Sequence, residues 1–422
     1  MIKRIYIDGY KSFRDFNLEL RPLSVVFGPN ANGKSNLLDA VQLVGKFATS
    51  PTLQKAFEDH RGLPFQSFNC GDKGFDSLMK KERLQMTFEV DVLLSEATIK
   101  HVTTAIKEKR QGLESSHSSF ISEKLLRYRL VIEGLPKVGY LRVKEERLSA
   151  LRRNSSVEKS SRKAFIETEK QDITLRLEGQ AHPTKHQIGL DHTIVSKALY
   201  EPHYPHIAAL KYELDLWRTY YFSPDRMRVA EPVAEEKAIK RDGSNLMAFL
   251  NVIKDKDPRT FDNIRRTIKS FLPQKPTIDI EVHGGMAEMN IMESGTPFPS
   301  SLISEGTLRV IGLISVLSQH NEATLIAFEE PENGIHPIRL KQIADMIQDS
   351  LLTPSGDVAC QIILTSHSPI FPEFFDNEAL FICQRKDGST RIVPFSSLGS
   401  LYRRGEIGRA LEDRILSGDF GG

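Results

Sequence analysis

The sequence predicts an α/β fold: a mixed, largely parallel sheet with flanking helices, interrupted by an inserted α+β lobe. Three observations carry that expectation. Both ends of the chain alternate short apolar runs with amphipathic stretches. The stretch between them is richer in Lys, Arg, Ser and His. Near the N-terminus, a glycine-rich turn joins the wholly apolar run "LSVVF" to an apolar helix. A chain of 422 residues is long for one compact domain. It divides into 1–94, the first part of a head domain; 95–215, a basic inserted lobe; and 216–422, the second part of the head.

The elements follow in order. "IKRIYIDGY", "FNLEL" and "LSVVF" read as strands, "SNLLDAVQLV" as a helix, and Leu84 to Val92 as a further strand. Within 95–215 the runs "YRLVIEGL" and "ITLRLEG" alternate as short strands do, and no heptads are sustained, which argues against a long coiled-coil arm. After "RTYYFSPDRMR" come the helices "GSNLMAFLNVI" and "RTFDNIRRTIKSFL", then the strands "PTIDIEVHG" and "AEMNIMES". From 300 to 395 the order is helix "TLRVIGLISVLSQH", strand "ATLIAF", helix "HPIRLKQIADMIQDSLL", strand "CQIILT" and strand "EALFICQR". Strands joined by helices pair in parallel with right-handed crossovers, so both ends of the chain belong to one α/β domain.

Composition narrows the function. Hydrophobic residues at 40% and charged residues at 27% are an ordinary globular balance. A net charge of +2 means that any nucleic-acid binding must come from a local patch. Cys70, Cys360 and Cys383 form no CxxC pair, which favours a reducing compartment over secretion. The start, "MIKRIYID", alternates polar and apolar residues, and no apolar stretch has the length of a membrane span. The expectation is a cytoplasmic protein with no membrane contact.

The chemistry concentrates at three strand ends. Gly28-Pro29-Asn30-Ala31-Asn32-Gly33-Lys34-Ser35 fits G-x-x-x-x-G-K-[ST] between a strand and a helix. By composition such a match arises by accident on the order of once per hundred chains of this length, before that context is required. Its backbone N–H groups and the helix N-terminus cradle phosphates, Lys34 reaches the terminal ones, and Ser35 offers a hydroxyl to Mg2+. If the strands Leu23 to Phe27 and Thr324 to Phe328 lie parallel in one sheet, Glu329 and Glu330 stand beside those phosphates. One carboxylate then holds the metal and the other activates water. Glu332 is expected to be a solvated or salt-bridged loop residue. His367, after "CQIILTS", emerges on the same edge and is a candidate sensor of the terminal phosphate. His336 is either a second such group or part of a turn. Ser304 or Thr307 caps the helix that follows, and that helix start is either an ordinary cap or a second anion site.

The segments "GPNANGKSN", "ISEGT", "LIAFEEP" and "LTSHSP", in this order, resemble the ABC-type ATPases of the SMC and RecF group. With "IDGYKSF" and "EEPENGIHP" they are most similar to the AAA-like ATPases related to the OLD (overcoming lysogenisation defect) nucleases. The resemblance covers roughly residues 1 to 92 and 215 to 395, and not the lobe. It implies a head that hydrolyses ATP as a homodimer or higher oligomer, with two nucleotides sandwiched between subunits. Gly28 to Ser35, with Asn36, then bind phosphate and Mg2+. Glu329 takes the metal-associated position, Glu330 is the general base, Ser304 and Gly306 are signature contacts to the partner's nucleotide, and His367 is the switch histidine. The metal-associated acid of such ATPases is usually Asp, and Glu305 and Thr307 stand where transporters prefer Gly and Gln. Gln66 and Gln85 are both open as the glutamine of the loop after the phosphate site.

OLD-type relatives often carry a Toprim nuclease domain after the ATPase, but only about fifty-five residues follow His367, too few for one. The expected partners are therefore DNA and a separate nuclease or effector subunit, in defence or repair. Two other readings stand beside it: the ATPase subunit of a membrane transporter, which the basic lobe and "SEGT" disfavour, and a nucleotide-gated scaffold with little turnover.

Overall fold

The structure, a computed structural model, describes residues 1–398 apart from 111–119, 153–156, 160–161, 170–171, 179–182, 273, 294, 319–322 and 354. Parts of the basic stretches read in the lobe, and the C-terminal residues 399–422, lie outside the described residues.

Strands β1 (Ile2–Asp8) and β2 (Phe16–Glu19) form an antiparallel pair. Strand β3 (Leu23–Phe27) leads through the glycine-rich loop into helix α1 (Lys34–Thr49). A short helix α2 (Gly74–Met79) precedes β4 (Leu84–Leu93), which lies antiparallel to β1 with Ile5 opposite Val90. The second segment opens with helix α3 (Glu96–Lys109), capped by the Ser95 hydroxyl, which accepts from the Thr98 N–H. It continues through β5 (Leu125–Leu135), β6 (Tyr140–Ala150), β7 (Ile166–Glu169), β8 (Asp172–Leu175) and β9 (Thr184–Gln187) to helix α4 (Pro205–Asp215). Strands β5 to β9 extend the sheet begun by β1, β2 and β4, giving the order β2-β1-β4-β5-β6-β7-β8-β9.

The outer face of that sheet explains the basic composition of 95–215. Arg127 pairs with Asp91 at 2.7 Å, and Arg129 bridges Glu89 at 3.2 Å and Glu145 at 3.1 Å. Arg147 holds Glu158 at 2.8 Å and also Glu167, which accepts from Arg176 at 3.3 Å. These arginines are engaged in cross-strand pairs with carboxylates of neighbouring strands.

The remainder contains β10 (Trp217–Tyr220), α5 (Pro224–Met227), β11 (Glu231–Pro232), α6 (Leu246–Lys256) and α7 (Pro258–Phe271). An antiparallel set follows, β12 (Thr277–His283), β13 (Met286–Glu293) and β14 (Thr296–Pro299), and then α8 (Glu305–Leu317), β15 (Leu325–Glu329), α9 (Leu340–Asp349), β16 (Gln361–Ser366), β17 (Leu380–Lys386) and β18 (Ser389–Pro394). The second sheet runs β10-β15-β16-β3-β17-β18 and is parallel except for β18. The N-terminal strand β3 is thus inserted between two C-terminal strands. Strand β18 is absent from the sequence expectation. Asp387 (φ 49°) and Gly388 (φ 72°) form the two-residue turn that folds it back on β17.

β3, β15 and β16 are buried at every residue, as central parallel strands must be. Val26 points to a core shared with α1 and the eight-stranded sheet, while Leu23, Val25 and Phe27 point to a second core with α6, α8 and α9. Helix α1 therefore lies between the two sheets, which is why Leu37, Leu38, Val41, Leu43, Val44 and Phe47 are all buried. Among the described residues, no helix is long and apolar enough to cross a membrane.

Candidate functional site

Parallel strands end on one edge, and here three of the predicted groups emerge together. Ser366 of β16 is level with Phe27 of β3, and Glu329 of β15 is level with Thr365. β16 stands between the acid strand and the phosphate loop, so the loop after each strand faces a common crevice.

The phosphate loop is braced from behind. The Thr390 hydroxyl donates to the Asn32 carbonyl at 2.7 Å, the Cys383 thiol to the same oxygen at 3.3 Å, and the Asn32 amide to the Cys383 carbonyl at 3.4 Å. Asn36 donates to the Ser12 hydroxyl at 2.8 Å, and Ser12 lies 2.6 Å from Thr390. Asn30 and Ala31 form the exposed tip of the loop. Lys34 donates to the carbonyls of Gly28 and Pro29 at 2.7 and 2.8 Å, closing the loop on itself. Burial lowers its pKa, against the pull of Glu330, Glu332 and Glu329. The sequence expectation did not include Thr390 or Ser12, because their role depends on the tertiary placement of β18 and the β1–β2 turn.

Across the crevice the Ser35 hydroxyl donates to Glu329 at 2.6 Å. A hydroxyl and a carboxylate are hard oxygen donors of the kind Mg2+ takes, and Mg2+ usually completes its shell with phosphate and water. Among the described residues, no group of three or more His, Cys, Asp or Glu could hold a metal without such help. Arg61 also reaches Glu329, at 3.1 and 2.8 Å, and joins it to Asp39 of α1. Burial opposes ionisation of Asp39, yet Lys11, Arg61 and Arg241 hold its carboxyl down at about 2.

Glu330 has a left-handed backbone, φ 47°, and its N–H donates to the Thr365 carbonyl at 3.0 Å. Such a conformation costs roughly 1 kcal/mol or more in a non-glycine residue and clusters at functional sites. It turns the carboxylate toward His367, whose Nδ1 lies 3.0 Å away, while Asn333 donates to its other oxygen at 2.7 Å.

Glu332 departs from expectation. It is only 6% exposed, because the turn after Pro331 folds back over the end of β16, and it accepts from the Ser366 hydroxyl at 2.5 Å. Burial raises its pKa. A raised folded-state value favours the protonated form, so the resulting stability is complete below the unfolded value and is lost as pH rises through the folded one. Glu332→Gln, which keeps the acceptor for Ser366, should therefore unfold later than wild type at about pH 8, with the gap closing by about pH 4. Denaturant titrations at the two pH values measure it.

Ser304 caps α8 by accepting from the Thr307 N–H at 3.3 Å and is exposed. Gly306 packs against the turn after the acids: a Cβ there would stand 2.0 Å from the Gly334 carbonyl. His336 is a turn residue, accepting from the Ile338 N–H at 3.4 Å. Gln66 accepts from Leu63 of its own turn and Gln85 from Lys144, both on the exposed surface.

The model of the AAA ATPase domain family (AAA_15) matches residues 1–371. The chain belongs to that family. The fold of this ATPase is that of an SMC-type ATPase head. Its structure is similar to that of an Smc head bound to the C-terminal winged-helix domain of ScpA, with 13% identity over 93% of this chain and 96% of that one and a TM-score of 0.54. A Pyrococcus furiosus Smc head with an extended coiled coil matches at 14% identity over 98% and 99%, with a TM-score of 0.49. At such identities the likeness concerns the fold. None of the curated proteins compared matches the sequence of the ATPase.

Proposed function

We propose that the chain is a dimerising head that binds ATP with Mg2+, hydrolyses it between two subunits, and couples the cycle to DNA and to a separate effector or nuclease subunit. The observation that supports this most directly is the convergence at one sheet edge of the Ser35–Glu329 contact and the Glu330–His367 pair. In this reading the loop Gly28 to Ser35, with Asn36, holds the phosphates through its N–H groups. Ser35 and Glu329 hold the metal, whose chemistry is to neutralise charge developing on the phosphates. Glu330 takes the proton of the attacking water, and His367 orients the Glu330 carboxylate and senses the terminal phosphate. Exposed Ser304, with Gly306, offers its helix N-terminus to the partner's nucleotide. The Smc head in the similar structure has a protein partner, ScpA, which supports the expectation of a partner chain here.

The arginines of β5 and β6, and Arg176 just after β8, are committed to ion pairs, so a nucleic-acid surface in this segment would draw instead on the exposed Lys100 and Lys107 of α3. The test is phosphate release by the purified chain with and without duplex DNA, together with its mass with and without ATP. Turnover with an ATP-dependent doubling of mass supports the proposal. Nucleotide binding without turnover under every condition would favour the gated scaffold.

A further inference from the structure

One guanidinium joins the metal-associated acid to a second, deeply buried one. Arg61 turns one edge to Asp39, with Nε 3.2 Å from both carboxylate oxygens and Nη2 3.1 Å from Oδ1. It turns the other edge to Glu329, with Nη1 at 3.1 Å and Nη2 at 2.8 Å. The Tyr221 ring lies 5.5 Å from the guanidinium carbon.

The two contacts are not equivalent. Asp39 is 1% exposed, one helical turn beyond Ser35, and also receives Lys11 at 2.7 Å and Arg241 at 2.6 Å. Its charge is compensated with or without Arg61. Glu329 relies on the Arg61 fork and the Ser35 hydroxyl. A fork of this kind occupies both oxygens of a carboxylate, which are the oxygens a divalent cation would use.

We propose that Arg61 is a placeholder for the divalent cation. It holds Glu329 before the metal–nucleotide arrives, yields that carboxylate when the metal enters with the triphosphate, and is retained at the site by Asp39. Asp39 is thereby a positioning residue that acts through Arg61. The inference rests on the ATP reading above. Charge gives it a direction: Arg61 already sets a cation on both oxygens of Glu329, so a lone metal ion must displace it, whereas the triphosphate brings negative charge that offers the guanidinium and the metal further partners. If Arg61 only stiffened the fold, its removal would weaken metal and nucleotide binding alike.

The experiment uses the full chain carrying Glu330→Gln to stop turnover, with bound Mn2+ counted by electron paramagnetic resonance, with and without ATP. ATP binding is measured separately in chelator. Arg61→Ala should lower the Mn2+ midpoint roughly three- to tenfold and allow Mn2+ to bind without ATP, since the competing fork is gone. Asp39→Asn, which leaves Arg61 to Glu329 alone, should raise the midpoint. Arg61→Lys keeps the charge without the fork and should fall between wild type and Arg61→Ala. An unchanged or raised midpoint in Arg61→Ala overturns the proposal, as does a Lys variant identical to wild type, which would leave only the field of the charge. Should Asp39→Asn not fold, the Arg61 pair of variants decides alone. A chain that binds no ATP at all refutes the ATP reading, whereas ATP binding with unmoved Mn2+ midpoints refutes only the placeholder.

Discussion

Glu330→Gln is expected to lower the turnover number roughly 10²- to 10⁴-fold, the usual worth of a positioned general base, while ATP binding survives. The side chains are nearly the same shape. The amide oxygen still accepts from Asn333, which donates to Glu330 at 2.7 Å in the wild type, and the backbone at φ 47° is no harder for Gln than for Glu. What disappears is the capacity to take a proton from water. Ser35, Glu329 and the phosphate loop are untouched, so the loaded state should accumulate. If ATP is sandwiched between subunits, the variant should sediment as a dimer in ATP long after wild type has returned to its starting mass. Phosphate release and sedimentation on one preparation test both halves. Near-normal turnover would remove Glu330 from the role of base.

What could be read in the sequence, and what could not, follows from whether a role is local. The phosphate loop was legible because eight consecutive residues carry the whole device, and its strand and helix flank it directly. Glu329 and Glu330 were legible in position because an unbroken apolar run must be a buried strand, and its end must be an edge. Their neighbour Glu332 was misread: nothing in "EEPENG" tells which acid folds inward, and the Ser366 hydroxyl that receives it lies on the next strand. Asp39 carries no signal of its own in "SNLLDAVQLV". Only the packing of α1 between two sheets brings Lys11, Arg61 and Arg241 onto it. Arg61 sits in "DHRGL", with no periodicity to mark it. The Asp387-Gly388 dipeptide is a readable signal for the turn into β18, the strand that carries Thr390 to the loop. The Lys- and Arg-rich composition of 95–215 marks it as basic, whereas the arginines on its strands are matched by carboxylates that the sheet register brings near them.

Gly33→Ala should abolish detectable ATP binding, and the cause is separable into two parts. Gly33 has φ 96° and ψ 14°, a conformation in which a non-glycine residue is strained by about 1–3 kcal/mol. A Cβ would also stand 2.1 Å from the Thr390 hydroxyl oxygen and 2.8 Å from that of Ser12, the two groups that brace the loop. Neither has room to yield without loss, because Thr390 donates to Asn32 and Ser12 accepts from Asn36. The loop must therefore move away from its support, which scatters the N–H groups proposed to hold the phosphates and displaces Lys34, the residue immediately after. Helix α1 should survive, since its buried face is held by two sheets, so melting should fall only modestly while binding is lost. Thr390→Ala in the same chain separates the parts: it removes the nearer collision and one brace but leaves the Ser12 contact and the backbone strain. Partial recovery of ATP binding in the double variant identifies the collision as the larger part. No recovery assigns the loss to the backbone together with the Ser12 contact, and wild-type binding by Gly33→Ala alone would show that this loop does not hold the phosphates in the way its geometry indicates.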